Sequence, residues 1–249
     1  MTYCVGLRTE RGLVFMSDTR TNSGVDNISV YRKMSTWATE GERVITLLSA
    51  GNLATTQSVV SLLDERSKVP EDRSPSILQA PTMFQVARLV GQTIREVIEL
   101  QAQTGDTADN TFNGTLILGG QIKGMTPRLF LIYPEGNFIE ATDDTPFIQI
   151  GETKYGRPIL IRAYEPSMSF DAAVKLLLVS FDSTMRANLS VGFPIDLQVY
   201  EADTFHRQPR IRIEEDDPYF RSISAGWGGA LRRAFESLPD FDLGGRSPA

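Results

Sequence analysis

Residues 1–20 read MTYCVGLRTERGLVFMSDTR and contain two short apolar runs, 3–7 and 13–16, joined by a polar linker. Both runs are rich in residues that favour β-strands, and the linker ends in Gly12. A polar linker with a terminal glycine is typical of a hairpin loop. The stretch therefore predicts an antiparallel hairpin at the start of the chain.

The rest of the chain alternates between strand-like and helix-like patterns. Strands are predicted within 28–51, 111–122, 128–134, 137–142, 146–150, 195–201 and 210–214, and helices at 52–66, 83–102, 170–187 and 219–237. Runs of strands that alternate with pairs of helices predict antiparallel sheets covered by helices, not a doubly wound βαβ fold. We expect a single domain over residues 1–240, followed by a disordered tail at 241–249.

Composition excludes several classes of function. The chain has 249 residues, 41% of them hydrophobic, which is enough to bury a large core. A net charge of −6 without a basic run argues against nucleic-acid binding. No apolar stretch approaches the ~20 residues of a membrane helix, and no signal peptide is recognisable. The single cysteine, Cys4, excludes an intramolecular disulfide and predicts a cytoplasmic protein.

The hairpin suggests a function for Thr2. If the turn is centred on Glu10, Asp18 lies opposite Thr2 on the neighbouring strand. Methionine is commonly removed before a small residue, which would leave Thr2 with a free α-amine whose pKa is about 7.7–8.0. Such an amine can act as the general base for the hydroxyl of the same residue. Hydroxyl, amine and nearby acid together form a nucleophile unit.

Two further residues would complete such a site. A carboxylate alone would raise the pKa of the amine, so a cation is needed nearby, and Lys33 is the candidate. Gly51 lies where a predicted strand ends and a predicted helix begins, so its backbone N–H can stabilise an oxyanion. This chemistry requires no metal or cofactor.

Each candidate residue also has an ordinary structural interpretation. Thr2 alone is unremarkable, Asp18 often ends a strand in a turn, and Lys33 is a typical charge at a strand edge. Gly51 alone is compatible with a tight turn. The hypothesis depends on the four residues acting together.

Other chemical groups give weaker signals. We interpret Cys4 as a small core residue, although a thiol nucleophile remains an alternative if processing exposed it. His206 is interpreted as a solvated strand residue, because no serine elbow accompanies it. Asp106 and Asp109 are too few carboxylates for a cation loop. One histidine and one cysteine practically exclude a zinc site of soft ligands.

The chain resembles the proteasome-type β subunits. The resemblance rests on Thr2, the hairpin end Ser17-Asp18-Thr19-Arg20, Lys33 and the Ser-Ala-Gly turn at Gly51. The segments QIGETKYGRPIL (149–160) and SFDSTMRANLSVGFPIDL (180–197) are similar to the bacterial Anbu subfamily, the ancestral β subunits. The resemblance implies a four-layer αββα sandwich of class α+β and the N-terminal nucleophile hydrolase mechanism.

The resemblance also implies roles for individual residues. Thr2 would be the nucleophile, Asp18 and Lys33 its supporting charge pair, and the Gly51 N–H the oxyanion donor. Ser190 matches a serine that orders the terminal amine in the family. Two positions depart from the family pattern, since Glu152 replaces a serine and Ala187 replaces an aspartate. Either Asn188, Glu152 or Thr153 compensates, or the amine is held less well.

These observations predict an N-terminal threonine hydrolase that cleaves peptide or other amide bonds. As the family implies, it would associate with itself into a ring or ring-like array. Peptides or proteins would be the substrates, without nucleic-acid or membrane partners. Two alternatives remain open: a catalytically silent scaffold of the same fold, and a small-molecule amidase.

Overall fold

The computed structural model describes residues 2–22, 28–68, 75–104 and 113–242. This part of the chain forms twelve strands and five helices. The strands are β1 Tyr3–Thr9, β2 Gly12–Asp18, β3 Arg20–Asn22, β4 Ile28–Val30, β5 Met34–Thr39, β6 Arg43–Gly51, β7 Gly114–Ile122, β8 Arg128–Ile132, β9 Phe138–Glu140, β10 Phe147–Gly151, β11 Ile195–Glu201 and β12 Ile211–Ile213. The helices are α1 Leu53–Lys68, α2 Met83–Thr104, α3 Arg157–Ala163, α4 Phe170–Ala187 and α5 Pro218–Glu236.

Two five-stranded sheets form the centre of the fold. The first has the order β10-β1-β2-β11-β12 and the second the order β5-β6-β7-β8-β9, while β3 and β4 form a separate ribbon. Every pair of neighbouring strands is antiparallel. This arrangement agrees with the predicted α+β class.

Three hydrophobic clusters hold four layers together. Buried residues of α1 and α2, such as Val59 and Val90, pack on the second sheet. Residues of α3, α4 and α5 pack on the outer face of the first sheet, where Phe181 is fully buried. Between the sheets lies a third cluster that includes Phe15 and Ile117. The order is therefore helices, sheet, sheet, helices, and the predicted αββα sandwich is confirmed.

The register of the first hairpin differs from the prediction by one residue. Thr9 faces Gly12 and Cys4 faces Ser17, so the turn is centred between Glu10 and Arg11. The strands extend further towards the turn than their apolar runs indicate. Asp18 consequently lies opposite Tyr3 and not opposite Thr2.

Some elements were not predicted, and one prediction cannot be compared. No bounds were predicted for α3, and the β3–β4 ribbon was not predicted at all.

Within the described ranges, no helix combines the length and hydropathy needed to span a membrane. The predicted tail at 241–249 lies outside the described residues except for Phe241 and Asp242.

Candidate active site

Asp18 ends β2 with a side chain that is fully buried. Its Oδ1 accepts hydrogen bonds from Lys33 Nζ at 2.6 Å and from the backbone N–H of Tyr3 at 3.0 Å. Its Oδ2 accepts one from the Gly192 N–H at 3.4 Å. Burial raises the pKa of the Asp18 carboxyl, and Lys33 with the two backbone donors opposes that rise. Both oxygens of the carboxylate therefore accept hydrogen bonds from groups inside the protein.

Lys33 lies just before β5, and its ammonium is held by two acceptors. Besides Asp18, Nζ donates to the carbonyl oxygen of Arg20 at 2.7 Å. The Lys33 side chain is only 4% exposed, so water does not screen the pair strongly. The Lys33 carbonyl accepts a hydrogen bond from the Ser49 N–H at 3.0 Å. These contacts fix both ends of the residue.

Thr2 is half-buried at the start of β1, next to β10. Its carbonyl oxygen accepts a hydrogen bond from the Glu152 N–H at 2.7 Å. Gly151 faces Tyr3 across the sheet and has a φ of +81°, a conformation that favours glycine. A Cβ at position 151 would lie 1.9 Å from the Thr2 carbonyl oxygen. Glycine is therefore required for the close approach that positions Thr2.

Gly51 ends β6 and is exposed. Its φ of +114° and a distance of 2.4 Å from a virtual Cβ to the Asn113 carbonyl oxygen both favour glycine. The following residue, Asn52, caps α1 by accepting a hydrogen bond from the Thr55 N–H at 3.1 Å. The chain therefore turns from strand to helix at this point, as the sequence predicts.

Thr2, Lys33 and Gly51 line one cleft of about 620 Å³. Thr21 and Tyr31 contribute to its walls. Asp18 does not line the cleft but binds Lys33, which does. The structure thus brings together four of the five predicted site residues. Thr2 and Asp18 come from the first hairpin, Lys33 from the segment before β5, and Gly51 from the end of β6.

Ser190 does not line this cleft but belongs to a neighbouring polar cluster. Its backbone N–H donates to Asn188 Oδ1 at 3.0 Å, and Asn188 Nδ2 donates to Glu152 Oε2 at 2.9 Å. Glu152 is buried, and its Oε1 accepts a hydrogen bond from the Lys154 N–H at 3.2 Å. Two of the three proposed compensating residues, Glu152 and Asn188, therefore contact each other, and Glu152 also binds the Thr2 carbonyl.

Sequence reasoning missed the backbone groups around Asp18 and Thr2. The N–H donors of Tyr3 and Gly192, and the glycine at 151, carry no side-chain signal that distinguishes them. Only the corrected hairpin register would have indicated that Tyr3 lies beside Asp18.

The remaining candidates take ordinary positions. Cys4 is fully buried between the sheets, and burial raises the pKa of its thiol, which agrees with a core residue. His206 is exposed beside Glu40, in the loop between β11 and β12, so its placement on a strand is wrong. Asp106 and Asp109 lie outside the described residues. Within those residues, no group of three His, Cys, Asp or Glu could hold a metal ion.

Solved structures of Anbu proteins align with nearly the whole of this chain. The Anbu (Gly-1) mutant from Hyphomicrobium sp. strain MC1 is 55% identical, with a TM-score of 0.89 and coverage of 98% of this chain and 100% of that one. Anbu (ancestral beta-subunit) from Yersinia bercovieri is 49% identical, with a TM-score of 0.90 and coverage of 97% and 100%. The chain belongs to the Anbu family. The predicted resemblance is thereby confirmed.

A third Anbu structure extends the comparison. The helical assembly of the Anbu complex from Pseudomonas aeruginosa is 45% identical, with a TM-score of 0.91 and coverage of 98% of this chain and 100% of that one. No protein-family model matches the sequence, and no curated protein matches it either. Membership of the Anbu family therefore rests on solved structures that align along almost the full chain.

The Anbu cleft combines the elements that a nucleophile at the chain end requires. Thr2, which carries a hydroxyl, lines the same cleft as Lys33, whose ammonium is paired with the buried Asp18 carboxylate. A strand-to-helix junction at Gly51 borders the same space. Such a set can activate a hydroxyl and stabilise negative charge on a carbonyl oxygen.

Proposed function

We propose that the chain is an N-terminal threonine hydrolase that cleaves amide bonds, with peptides as its substrate class. The proposal rests on one observation: Thr2, Lys33 and Gly51 line a single cleft, and Lys33 Nζ lies 2.6 Å from the buried Asp18 carboxylate. Family membership supports it, because the chain aligns with Anbu structures along nearly its whole length.

In the proposed reaction, removal of Met1 frees the α-amine of Thr2. The Thr2 hydroxyl oxygen attacks the amide carbon while its proton passes to this amine. Negative charge develops on the substrate oxygen, beside the Gly51 N–H. The carbon–nitrogen bond then breaks, the leaving amine takes the proton, and an acyl ester remains on Thr2.

Water completes the cycle. The amine accepts a proton from the attacking water, the ester bond breaks, and the hydroxyl of Thr2 is restored. The Lys33 ammonium lowers the pKa of the nearby amine by repulsion, so more of it is neutral at working pH. Asp18 keeps Lys33 in place and balances its charge.

We further propose that the chain associates with itself into a ring-like or helical array. The P. aeruginosa relative, described as a helical assembly of the Anbu complex, supports this part of the proposal. Multi-angle light scattering of the purified protein tests it. A monomer at micromolar concentration under all salt conditions would contradict self-association.

The activity is tested by the mass of the intact protein and by labelling. We expect protein from its native host to lack Met1 and to react with a peptide epoxyketone, which requires both the hydroxyl and the free amine. Thr2→Ala should abolish labelling and lower peptide hydrolysis by at least about 10³-fold. Thr21→Ala is the matched control, because Thr21 carries the same hydroxyl in the same cleft.

The outcomes separate the three functions. Met1 retained under native conditions would favour the silent scaffold. A Met1-free protein that hydrolyses small amides but resists epoxyketone labelling would favour the small-molecule amidase. Equal losses in Thr2→Ala and Thr21→Ala would contradict a nucleophilic role of Thr2.

A further inference from the structure

A second pocket, of about 330 Å³, opens between the edge strands of the two sheets. Arg32 borders it before β5, and Arg212 borders it from β12. Arg207 and Arg210 contribute from the loop that precedes β12. We call this site the arginine pocket. Among the described residues, these four arginines and one acidic residue, Asp196, line it.

Polar contacts of buried residues build the floor of the arginine pocket. Gln198 is buried, and its Oε1 accepts hydrogen bonds from the hydroxyls of Thr36 at 2.8 Å and Thr46 at 3.1 Å. Its Nε2 donates to the carbonyl oxygen of Gln208 at 3.0 Å. One side chain therefore ties both sheets to the loop that carries Arg207 and Arg210.

The two inner arginines are held in position. Arg212 donates from Nε and Nη2 to the two oxygens of the fully buried Asp196 at 2.9 and 3.1 Å. Arg210 is half-buried, and its Nη1 donates to the Met34 carbonyl oxygen at 2.9 Å. Burial lowers the pKa of Arg210, the Asp196 carboxylate opposes this, and the positive charges of Arg32, Arg212 and Arg207 lower it further. The guanidinium nonetheless stays charged, because arginine does not lose its proton in proteins.

Asp196 pairs directly with Arg212 alone, so one carboxylate faces four arginines among the described residues of the pocket. None of Arg32, Arg207 and Arg210 forms a salt bridge with a described carboxylate. The nearby Glu40 pairs with His206 and accepts the backbone N–H of Arg207, not its guanidinium. Positive groups placed this close repel each other, and an anion between them would relieve the repulsion.

We propose that the arginine pocket binds a small molecule with two or more adjacent oxyanions, such as a pyrophosphate group. Planar guanidinium forks bind phosphate oxygens in pairs, and several of them around one concave space suit a multivalent anion. The volume lies at the lower end of small-molecule sites, which favours a compact ligand over a polypeptide segment. The site is separate from the Thr2 cleft, so the inference does not depend on the proposed hydrolase activity.

Calorimetric titration of the full-length protein with inorganic pyrophosphate, at constant ionic strength, tests the inference. We expect saturable binding with one site per chain. The double variant Arg32→Gln/Arg207→Gln should bind about a hundredfold more weakly, because each charged contact is typically worth about tenfold in affinity. Both side chains are exposed at the rim, so the fold should persist.

Three controls make the result interpretable. Arg162→Gln removes an exposed arginine of α3 outside the pocket and should leave the affinity unchanged. Arg32→Lys/Arg207→Lys keeps the charge but loses the fork, and should fall between the wild type and the glutamine variant. Orthophosphate should bind more weakly than pyrophosphate. Melting temperatures of all variants report whether each is folded.

Several outcomes would overturn the inference. One is the absence of saturable pyrophosphate binding by the wild type. Another is equal pyrophosphate affinity in the wild type and a folded double glutamine variant. Binding of a hexaglutamate peptide without binding of pyrophosphate would show that the pocket recognises an acidic polypeptide instead.

Discussion

Two fully buried aspartates lie at neighbouring positions of the first sheet, and their surroundings differ. Asp18 on β2 binds Lys33, whose side chain is 4% exposed, and receives two backbone N–H donors as well. Asp196 on β11 binds Arg212, whose side chain is 31% exposed. Asp18 therefore holds its cation in a closed, preorganised environment. Asp196 holds its cation at the wall of an open pocket where further arginines collect.

The contrast shows how one type of contact supports two kinds of site. A buried ion pair gains little net stability, because removing both charges from water is costly. Its value lies in holding a charged group in one place. In the Thr2 cleft the held group is an ammonium near a hydroxyl, and in the arginine pocket it is a guanidinium that borders an open space.

The largest predicted difference concerns stability. Lys33→Ala leaves Asp18 buried without its cation and should lower the free energy of unfolding by about 3–5 kcal/mol. Arg212→Ala should cost only about 1–3 kcal/mol, because water can reach Asp196 once this partly exposed partner is gone. Urea titration of both variants measures the difference. Lys68→Ala, at an exposed pair with Asp64, is the control and should cost less than about 1 kcal/mol. Equal losses of unfolding free energy in Lys33→Ala and Arg212→Ala would show that the two ion pairs do not differ in this respect.

The next prediction concerns catalysis. Asp18→Asn keeps the shape of the side chain but removes the charge that holds Lys33. We expect kcat/KM for a peptide substrate to fall by about 10²-fold. The control is Asp171→Asn, which removes an exposed carboxylate from the first turn of α4. If both variants kept wild-type kcat/KM, the closed pair would have no part in the chemistry.

The dependence of stability on alkaline pH reports how completely Tyr3 is buried at the start of β1. Burial raises the pKa of Tyr3 from 10.0 to about 12. Between these values the unfolded chain has lost the phenolic proton that the folded chain keeps, so stability falls as pH rises, by up to about 1.4 kcal/mol per pH unit. The stability that Tyr3 contributes through its retained proton is fully present below pH 10. Tyr3→Phe should unfold with a shallower dependence on pH over this range, and an unchanged slope would contradict strong burial.

Salt should give the smallest and most selective effect. Raising NaCl from about 0.1 to about 1 M shortens the Debye length from about 10 to about 3 Å. Pyrophosphate binding in the open arginine pocket should weaken several-fold over this range. Hydrolysis of an uncharged peptide should change little, because the Asp18–Lys33 pair is shielded from solvent. If pyrophosphate affinity and the rate of peptide hydrolysis fell by the same factor, the two sites would be equally exposed to solvent.

The strongly periodic elements were predictable from the sequence. The predicted bounds of the helix at 170–187 and the strand at 195–201 agree with α4 and β11. Their apolar positions repeat over several turns or pleats, and Ser169 caps α4 by accepting the Ala172 N–H. The helix α3 has seven residues, which is too short for a periodic pattern to be recognised.

The candidate site was predictable only in part. Thr2, Lys33 and Gly51 share a cleft as expected, whereas Ser190 lies in a neighbouring cluster. The hairpin register was wrong by one residue, because turn residues set the register and Glu10 and Arg11 give no strong turn signal. The arginine pocket combines Arg32 with residues 207–212, a pairing that only the tertiary fold creates. Arg212 lies on β12, whereas Arg207 and Arg210 lie in the loop before it, so no strand periodicity in the sequence indicates that they border one space.

Gly151 has a consequence for the chemistry at the chain end. Since a Cβ there would lie 1.9 Å from the Thr2 carbonyl oxygen, even alanine would push the first peptide group out of the sheet. Gly151 carries no reactive atom, yet it fixes the position of Thr2, the proposed nucleophile. In a library randomised at this codon, we expect clones that retain epoxyketone labelling to encode glycine.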